Sequence, residues 1–186
     1  MKLIKLLSFF STIFLVGCKT PTLGYFTVQP KITESDLKYN KTITLVINQN
    51  IPDSLIVSNG KKHKLIVTKF RLTLEQGLYS IFKNTHTDIV ISSKVDPNGM
   101  NLVLDGIMPD WEWYMPGSRN TGGSVELECK ITYYAFIYSN GRRIGKIDRT
   151  IFSKKKTINR QRKPEVFMDG IRVMFEDVYS HTISYY

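Results

Sequence analysis

The side chains that most often do chemistry in proteins are sparse in this chain of 186 residues. His63, His86 and His181 are far apart, and neither cysteine stands near one of them at the spacing of a zinc site. Asp105 and Asp110 are close in sequence, and a pair of carboxylates can serve as general acid and base in hydrolysis. We find no nucleophile motif and no glycine-rich phosphate loop. The sequence therefore favours a protein without a catalytic site, a metal or a cofactor. A hydrolase that depends on Asp105 or Asp110 is the alternative.

Cys18 stands directly after a basic and then apolar N-terminal stretch. Lys2 and Lys5 precede an apolar run over residues 6–16, which is shorter than the ~20 residues that span a bilayer but typical of a secretory signal. The Leu-Val-Gly-Cys sequence that ends at Cys18 resembles the lipobox of bacterial lipoproteins. That resemblance implies that residues 1–17 are a cleaved signal peptide and that Cys18 carries a diacylglycerol thioether and an acylated amine. The alternative is an ordinary signal peptide that happens to end in cysteine.

The same resemblance predicts a location and a domain division. In bacteria with an outer membrane, an aspartate after the lipidated cysteine favours retention in the inner membrane. Lys19 occupies that position, so we expect the periplasmic face of the outer membrane, with the inner membrane as the alternative. Residues 18–41 contain prolines and no sustained periodicity, which predicts a lipidated tether. Residues 42–186 are expected to form a single domain.

Positive charge is abundant and concentrated near the C-terminal end of the chain. There are 26 Lys and Arg against 16 Asp and Glu, for a net charge of +10. If one end of a sheet collects these cations, it would attract an anionic glycolipid, a lipid headgroup or an acidic protein face. The alternative is a solvated surface that binds nothing. An exported compartment excludes nucleic acid as a partner. The candidate basic patch comprises Arg142, Arg143, Lys146, Arg149, Lys154, Lys155, Lys156, Arg160, Arg162 and Lys163.

Both tryptophans of the chain stand in a stretch bounded by proline and glycine, residues 109–123. This composition predicts a loop. Trp111, Trp113 and Tyr114 form its candidate binding site, because aromatic side chains are frequent anchors in interfaces. The alternative is a flap that packs over the edge of the sheet.

The remaining pattern predicts an α+β fold with a mostly antiparallel sheet and two helices packed on one face. One helix is expected after the capping-box pattern of Thr73 and Gln76, and another from Pro164. Residues 89–91 and 101–107 are expected to form a hairpin, as are residues 124–138 and 144–152. Further strands are expected over residues 42–48, 55–57 and 64–68, the last two being a hairpin around Asn59-Gly60. Cys129 falls on the apolar side of its strand, which predicts a buried structural thiol.

This order of elements after a lipobox resembles the small outer-membrane lipoproteins of the YajG, LptE and ABC-transport-auxiliary kind. The resemblance covers about residues 42–182, and its most YajG-like part runs from Ile43 to Phe82. Such families imply scaffolding or accessory roles in the envelope and supply no catalytic residues. We therefore expect a non-enzymatic lipoprotein that faces the periplasm and binds an envelope protein complex or a glycolipid. A pilotin-like chaperone of an outer-membrane subunit is the alternative that differs mainly in partner.

Overall fold

A computed structural model describes residues 20–29, 31, 39–59, 63–114, 125–157 and 163–186 of the chain. Within these ranges the backbone forms eight strands and two helices. The strands are β1 (Thr22–Leu23), β2 (Tyr39–Ile47), β3 (Leu55–Asn59), β4 (His63–Val67), β5 (His86–Ser92), β6 (Met100–Tyr114), β7 (Val125–Ser139) and β8 (Arg142–Thr157). The helices are α1 (Phe70–Phe82) and α2 (Lys163–Ile183). No helix in these ranges combines the length and hydropathy that crossing a bilayer requires.

The strands form a large sheet in the order β5-β2-β6-β7-β8 and a small sheet in the order β1-β4-β3. The fold is α+β, as expected, but the large sheet is mixed. β2 runs parallel to both β5 and β6, while β6, β7 and β8 are antiparallel. The hairpin expected for residues 89–91 and 101–107 is wrong, because β2 lies between β5 and β6. The run Ile43–Ile47 is buried on both of its faces, and such a strand is most stable in the interior of a sheet.

One face of the large sheet is covered by both helices, with the small sheet beside them. Helix α1 packs on β2 and β5, and α2 packs on β7 and β8. The expected placement of two helices on one face is confirmed. The helices approach each other closely at Gly77, where an added Cβ would lie only 2.1 Å from Cε2 of Phe175. We call this side of the large sheet the covered face.

The hairpin of β7 and β8 is confirmed and is longer than expected. Asn140 and Gly141 both have positive φ, at 48° and 73°, which is the type I′ geometry that two-residue hairpins prefer. Alternate residues of β7 point to the covered face and are completely buried. They are Leu127, Cys129, Ile131, Tyr133, Ala135 and Ile137. The expected burial of the Cys129 thiol is therefore confirmed.

Helix α1 begins four residues earlier than the capping-box pattern predicts, since that pattern makes Thr73 the N-cap. Its N-cap is Lys69, at φ 55° and without a side-chain cap. The Thr73 hydroxyl lies inside the first turn and donates to the Lys69 carbonyl at 3.3 Å, a common use of threonine within a helix. Arg71 fixes this end of the helix, because its guanidinium donates to the backbone carbonyls of Ile47, Asn48 and Ile51.

The described part of the expected tether packs on the domain. β1 pairs in parallel with β4, through Thr22 opposite Ile66 and Leu23 opposite Val67. Phe26 is buried against the edge of the Phe167 ring, with 6.0 Å between ring centroids. Chain that contributes a strand and a core phenylalanine is not a free spacer. Residues 22–28 thus belong to the folded unit, although the sequence places them before the expected domain boundary at residue 42.

Candidate functional site

The proposed lipidation residue, Cys18, lies outside the described residues. The fold begins soon after it, since the Pro21 carbonyl accepts a hydrogen bond from the backbone N–H of Ile66 at 3.0 Å. The distance along the chain from Cys18 to the first fixed backbone group is therefore three residues.

The loop expected at residues 109–123 is wrong over its first part, because β6 continues through Tyr114. Trp111 pairs with Cys129 on β7, is 1% exposed, and donates from Nε1 to the Val57 carbonyl at 3.2 Å. A residue buried in this way serves the core and cannot anchor a partner. Trp113 and Tyr114 also belong to β6, but their side chains, and the whole of residues 115–124, lie outside the described part. A binding role for these two side chains stays a prediction.

Period-2 alternation is the sequence feature that could have revealed this strand. Trp111 and Trp113 alternate with Asp110 and Glu112, which is typical of a strand with one buried face. Pro109 obscured the pattern because proline interrupts most strands. Here it is tolerated, since β2 pairs with β6 only as far as Leu104 and, among the described strands, one side of Pro109 has no paired neighbour.

The candidate basic residues do not gather at one end of the sheet in the described part. β8 carries Arg142 at one end and Lys155 near the other, and its 16 residues extend roughly 50 Å at ~3.3 Å per residue. Successive side chains also alternate between the faces. Lys146 and Lys154 point away from the helices, whereas Lys155 lies over α2.

At least four of the seven candidate cations whose side chains are described have a carboxylate partner. Four ion pairs involve cations of β8, one within the strand and three to other elements. They are Lys146–Asp148 at 2.8 Å, Arg149–Asp177 at 3.5 Å, Lys154–Glu128 at 2.6 Å and Lys155–Glu165 at 2.7 Å. Lys163 is buried at the start of α2. Arg160, Arg162 and the Lys156 side chain lie outside the described part. A functional role for this set stays a prediction. Its described members are spread along the length of β8 and mostly paired with carboxylates, so they do not concentrate positive charge in one place.

The side of the large sheet opposite the helices carries apolar and aromatic side chains. We call it the open face and define it by Met108, Tyr134, Phe136, Lys146 and Phe152, which the strand registers place on one side. Met108 is 54% exposed and Phe152 is 50% exposed. The Arg143 guanidinium lies 5.4 Å from the centroid of the Phe136 ring, within cation–π range. The same registers place Asp148 and Glu128 on this side, where they pair with Lys146 and Lys154. Apolar groups bordered by charged groups of both signs are typical of an interaction surface with a polar rim.

The two carboxylates considered for acid–base chemistry do not form a pair. Asp105 lies at a bulge of β6 and accepts a hydrogen bond from Nδ2 of Asn48 at 2.6 Å. Asp110 accepts a hydrogen bond from the backbone N–H of Trp111 at 2.7 Å. Five residues of strand separate them by roughly 17 Å. Both carboxylates therefore have structural partners, and no common site joins them.

The remaining reactive groups of the described residues are in environments that suit structure. Burial, reinforced by the Asp110 and Glu128 carboxylates, raises the pKa of the Cys129 thiol to about 12, so the reactive thiolate is scarce at neutral pH. No group of three or more metal-binding side chains occurs among the described residues. Burial lowers the pKa of His86 below its usual value, and its ring packs against Phe82 of α1.

A cavity of about 500 Å³ lies between α2, β8 and residues 27–29. Arg172 lines this cavity, and its guanidinium donates hydrogen bonds to the carboxylates of Asp169 and Glu176 on the same helix. Burial alone would raise the pKa of Asp169, but hydrogen bonds from Ser153 and Arg172 outweigh it and lower that pKa. The charged groups of this wall form hydrogen bonds and ion pairs with one another. They therefore stabilise the packing of α2 on β8, and the cavity does not have the character of a ligand site.

Comparison with known proteins adds a likeness of fold. No family model and no curated protein matches the chain. Protein XCC0632 from Xanthomonas campestris, described as DUF330, is similar in structure, with a TM-score of 0.52 and 10% identity over 88% of this chain and 95% of that chain. A minor lipoprotein from Acinetobacter baumannii and the rare lipoprotein B from Shewanella oneidensis each have a TM-score of 0.43 and 13% identity. They match over 77% of this chain and 88% and 93% of theirs, respectively.

These likenesses differ in what they establish. The Xanthomonas protein shares the fold of this chain, and an identity of 10% indicates nothing further about activity. The two lipoproteins are too distant in structure to decide either fold or function. The resemblance to the YajG, LptE and ABC-transport-auxiliary kind stays a prediction.

Proposed function

We propose that this chain is a non-enzymatic lipoprotein, anchored through Cys18 at the periplasmic face of the outer membrane, that binds another envelope component through its open face. The observation that carries the proposal is the lipobox-like sequence ending at Cys18, after a basic and apolar stretch that is too short to span a bilayer. Several acyl chains on one residue make membrane attachment stable, because each buried methylene contributes ~0.8 kcal/mol.

The open face supports a binding role. In the described part both helices and the small sheet lie on the covered face, so neither helix shields Met108 or Phe152. Their exposure of about half contrasts with the complete burial of the β7 side chains on the covered face. Exposed apolar side chains bordered by charged groups are typical of interaction surfaces. The partner is then an envelope protein or an anionic glycolipid.

The anchor is tested by labelling cells with a fatty acid that carries a clickable alkyne. We expect the wild-type protein to be labelled and to fractionate with the outer membrane. Cys18→Ser should abolish the label and leave the protein unprocessed at the inner membrane or released, because no helix of the described residues could replace the acyl chains as an anchor. A Cys18→Ser protein that still fractionates with the outer membrane would contradict the proposal.

The binding face is tested by photo-crosslinking in intact cells. A photoreactive amino acid at Met108 samples the open face, and one at Tyr79 of α1, which is 43% exposed, is the matched control. We expect an adduct at Met108 that is absent at Tyr79, and its mass distinguishes a protein partner from a glycolipid. Adducts at Tyr79 alone would place the partner elsewhere.

The enzymatic alternative has its own test. Purified protein is incubated with envelope polymers, and hydrolysis is measured for the wild type and for Asp105→Asn and Asp110→Asn. We expect no hydrolysis by any of the three proteins. Hydrolysis that is lost in either variant would replace the binding proposal with a hydrolase.

A further inference from the structure

We propose that the outer face of the small sheet, the side turned away from the core, rests on the bilayer that holds the Cys18 lipid. Ile56 then meets the headgroup layer, and the Lys64 ammonium lies beside anionic headgroups. The inference rests on the proposed lipidation of Cys18 and adds an orientation to it. The open face of the large sheet consequently points away from the membrane.

The first argument is the length of chain between the anchor and the fold. Acyl chains hold the Cys18 backbone at the membrane interface. The Pro21 carbonyl is fixed by the N–H of Ile66, and three residues span at most about 11 Å at ~3.6 Å each. The headgroup layer is about 5–7 Å deep on each side of a bilayer. The small sheet must therefore lie at the headgroups or immediately above them.

The second argument is the direction in which the chain enters the domain. β1 runs parallel to β4, so its start lies on the side where β4 begins at His63. After β1 the chain turns inward, because Phe26 is buried among core residues. The chain thus passes from the anchor into the edge strand of the small sheet, at the end where β4 begins, whereas the open face lies on the other side of the large sheet.

The third argument is the chemistry of the outer face of the small sheet. Val57 and Leu65 face the core and are completely buried. The intervening positions, where Ile56 pairs with Ile66 and Ser58 pairs with Lys64, therefore face outward. Ile56 is 59% exposed, more than any other large hydrophobic side chain of the described residues. An exposed apolar residue beside an exposed lysine suits the boundary between headgroups and acyl chains.

The test compares the depth of two matched positions in the lipidated full-length chain. Ile56→Cys and Phe152→Cys are each labelled with the fluorophore NBD, since their parent side chains are about equally exposed, at 59% and 50%. The Cys18 sulfur is blocked as a thioether, and burial of Cys129 raises its pKa to about 12, so the label reacts with the introduced thiol. The protein is reconstituted in vesicles of phosphatidylethanolamine and phosphatidylglycerol that contain a headgroup spin-labelled lipid.

We expect blue-shifted emission and strong quenching of the label at position 56, and neither effect at position 152. Equal quenching at both positions, or stronger quenching at 152, would overturn the orientation. The mass of the N-terminal peptide is measured on the same sample. A mass without acyl chains would overturn the proposed anchor, whereas acyl chains with no quenching at 56 would overturn only the orientation.

A second variant tests the electrostatic part of the contact. Lys64→Glu is added to the labelled Ile56→Cys protein, and quenching is measured in the anionic vesicles and in vesicles of phosphatidylcholine alone. We expect the substitution to reduce quenching in the anionic vesicles only, because phosphatidylcholine has no net charge to repel the glutamate. Unchanged quenching in the anionic vesicles would exclude Lys64 from the contact.

Discussion

The covered and open faces of the large sheet are formed by the same strands and differ in almost every other respect. On the covered face of β7, Ile131 and Tyr133 are completely buried under α2. On the open face of the neighbouring strands, Met108 and Phe152 are about half exposed. Alternation along each strand produces this division. Apolar composition alone therefore does not tell which aromatic residues maintain the fold and which are free to bind.

Trp111 and Phe152 represent the two faces most clearly. The sequence predicted Trp111 as a binding anchor, yet its indole is buried and hydrogen-bonded to the carbonyl of Val57. The sequence pattern predicted no binding role for Phe152, yet its side chain lies on the open face and is half exposed. The comparison predicts that substitutions on the covered face change stability and that substitutions on the open face change binding.

The largest expected effect is the loss of the indole at Trp111. Trp111→Ala should destabilise the fold by about 3–5 kcal/mol, because it leaves a cavity in the core and an unpaired Val57 carbonyl. Phe152→Ala should change stability by no more than about 0.5 kcal/mol. Urea unfolding followed by circular dichroism measures both. Similar losses for the two variants would contradict the assignment of the faces.

The next effect tests the closest contact between the helices of the covered face. Gly77→Ala should destabilise the protein by about 1–3 kcal/mol, because the new methyl group would lie 2.1 Å from Cε2 of Phe175. Gly106→Ala on β6 is the control, since its nearest neighbour, Cδ2 of Tyr134, would be 3.5 Å away. Thermal unfolding should separate the two variants clearly. Equal melting temperatures would mean that α1 and α2 do not pack as described.

The elements that local pattern predicts well are those stabilised by local interactions. Helix α2 begins within one residue of the predicted start at Pro164, and the Asn140-Gly141 turn joins β7 to β8 as predicted. The sequence did not predict the pairing of β2 with β5 and β6. Parallel strands that are far apart in sequence pair because the fold buries both faces of the central strand, and no local pattern records this. The predicted helix start at Thr73 failed for a related reason. The Arg71 guanidinium, bonded to carbonyls at the end of β2, helps fix the helix start by a tertiary contact.

The candidate site was predicted less well than the fold. Side-chain type identified the tryptophans and the lysines, but whether each is buried or ion-paired depends on its neighbours on adjacent strands. Lys154, for example, meets Glu128 at 2.6 Å across the pair of β7 and β8. Its partner stands 26 residues away in sequence, which no local charge pattern reveals. The open face could be recognised only from the positions of both helices, which lie on the other side of the sheet.

A smaller effect concerns the dependence of stability on pH. Burial lowers the pKa of His86 in the folded protein, while the unfolded chain has the ordinary value of about 6.5. Between these two values the unfolded state binds more protons, so stability should fall as the pH falls through about 6.5. His86→Phe preserves an aromatic ring beside Phe82 and Tyr186 and should flatten this dependence. Urea unfolding at a series of pH values from neutral to mildly acidic provides the measurement, and an unaltered slope would contradict the assignment.

The smallest expected change in stability lies on the open face, where the informative quantity is binding as a function of salt. Lys146→Glu removes an exposed cation paired with Asp148, and such surface pairs contribute about 0–1 kcal/mol to stability. It should weaken partner binding strongly at low salt and little at high salt, because charges are screened over ~8 Å at physiological ionic strength. Phe152→Ala should weaken binding similarly at every salt concentration, since burial of an aromatic ring is not screened.

Affinity for the partner captured at Met108 is measured for both variants across salt. If both variants retain wild-type affinity at every salt concentration, the open face is not the contact surface. A salt-dependent loss of affinity in Lys146→Glu alone would mean that charge contributes to binding and that the apolar side chain of Phe152 does not.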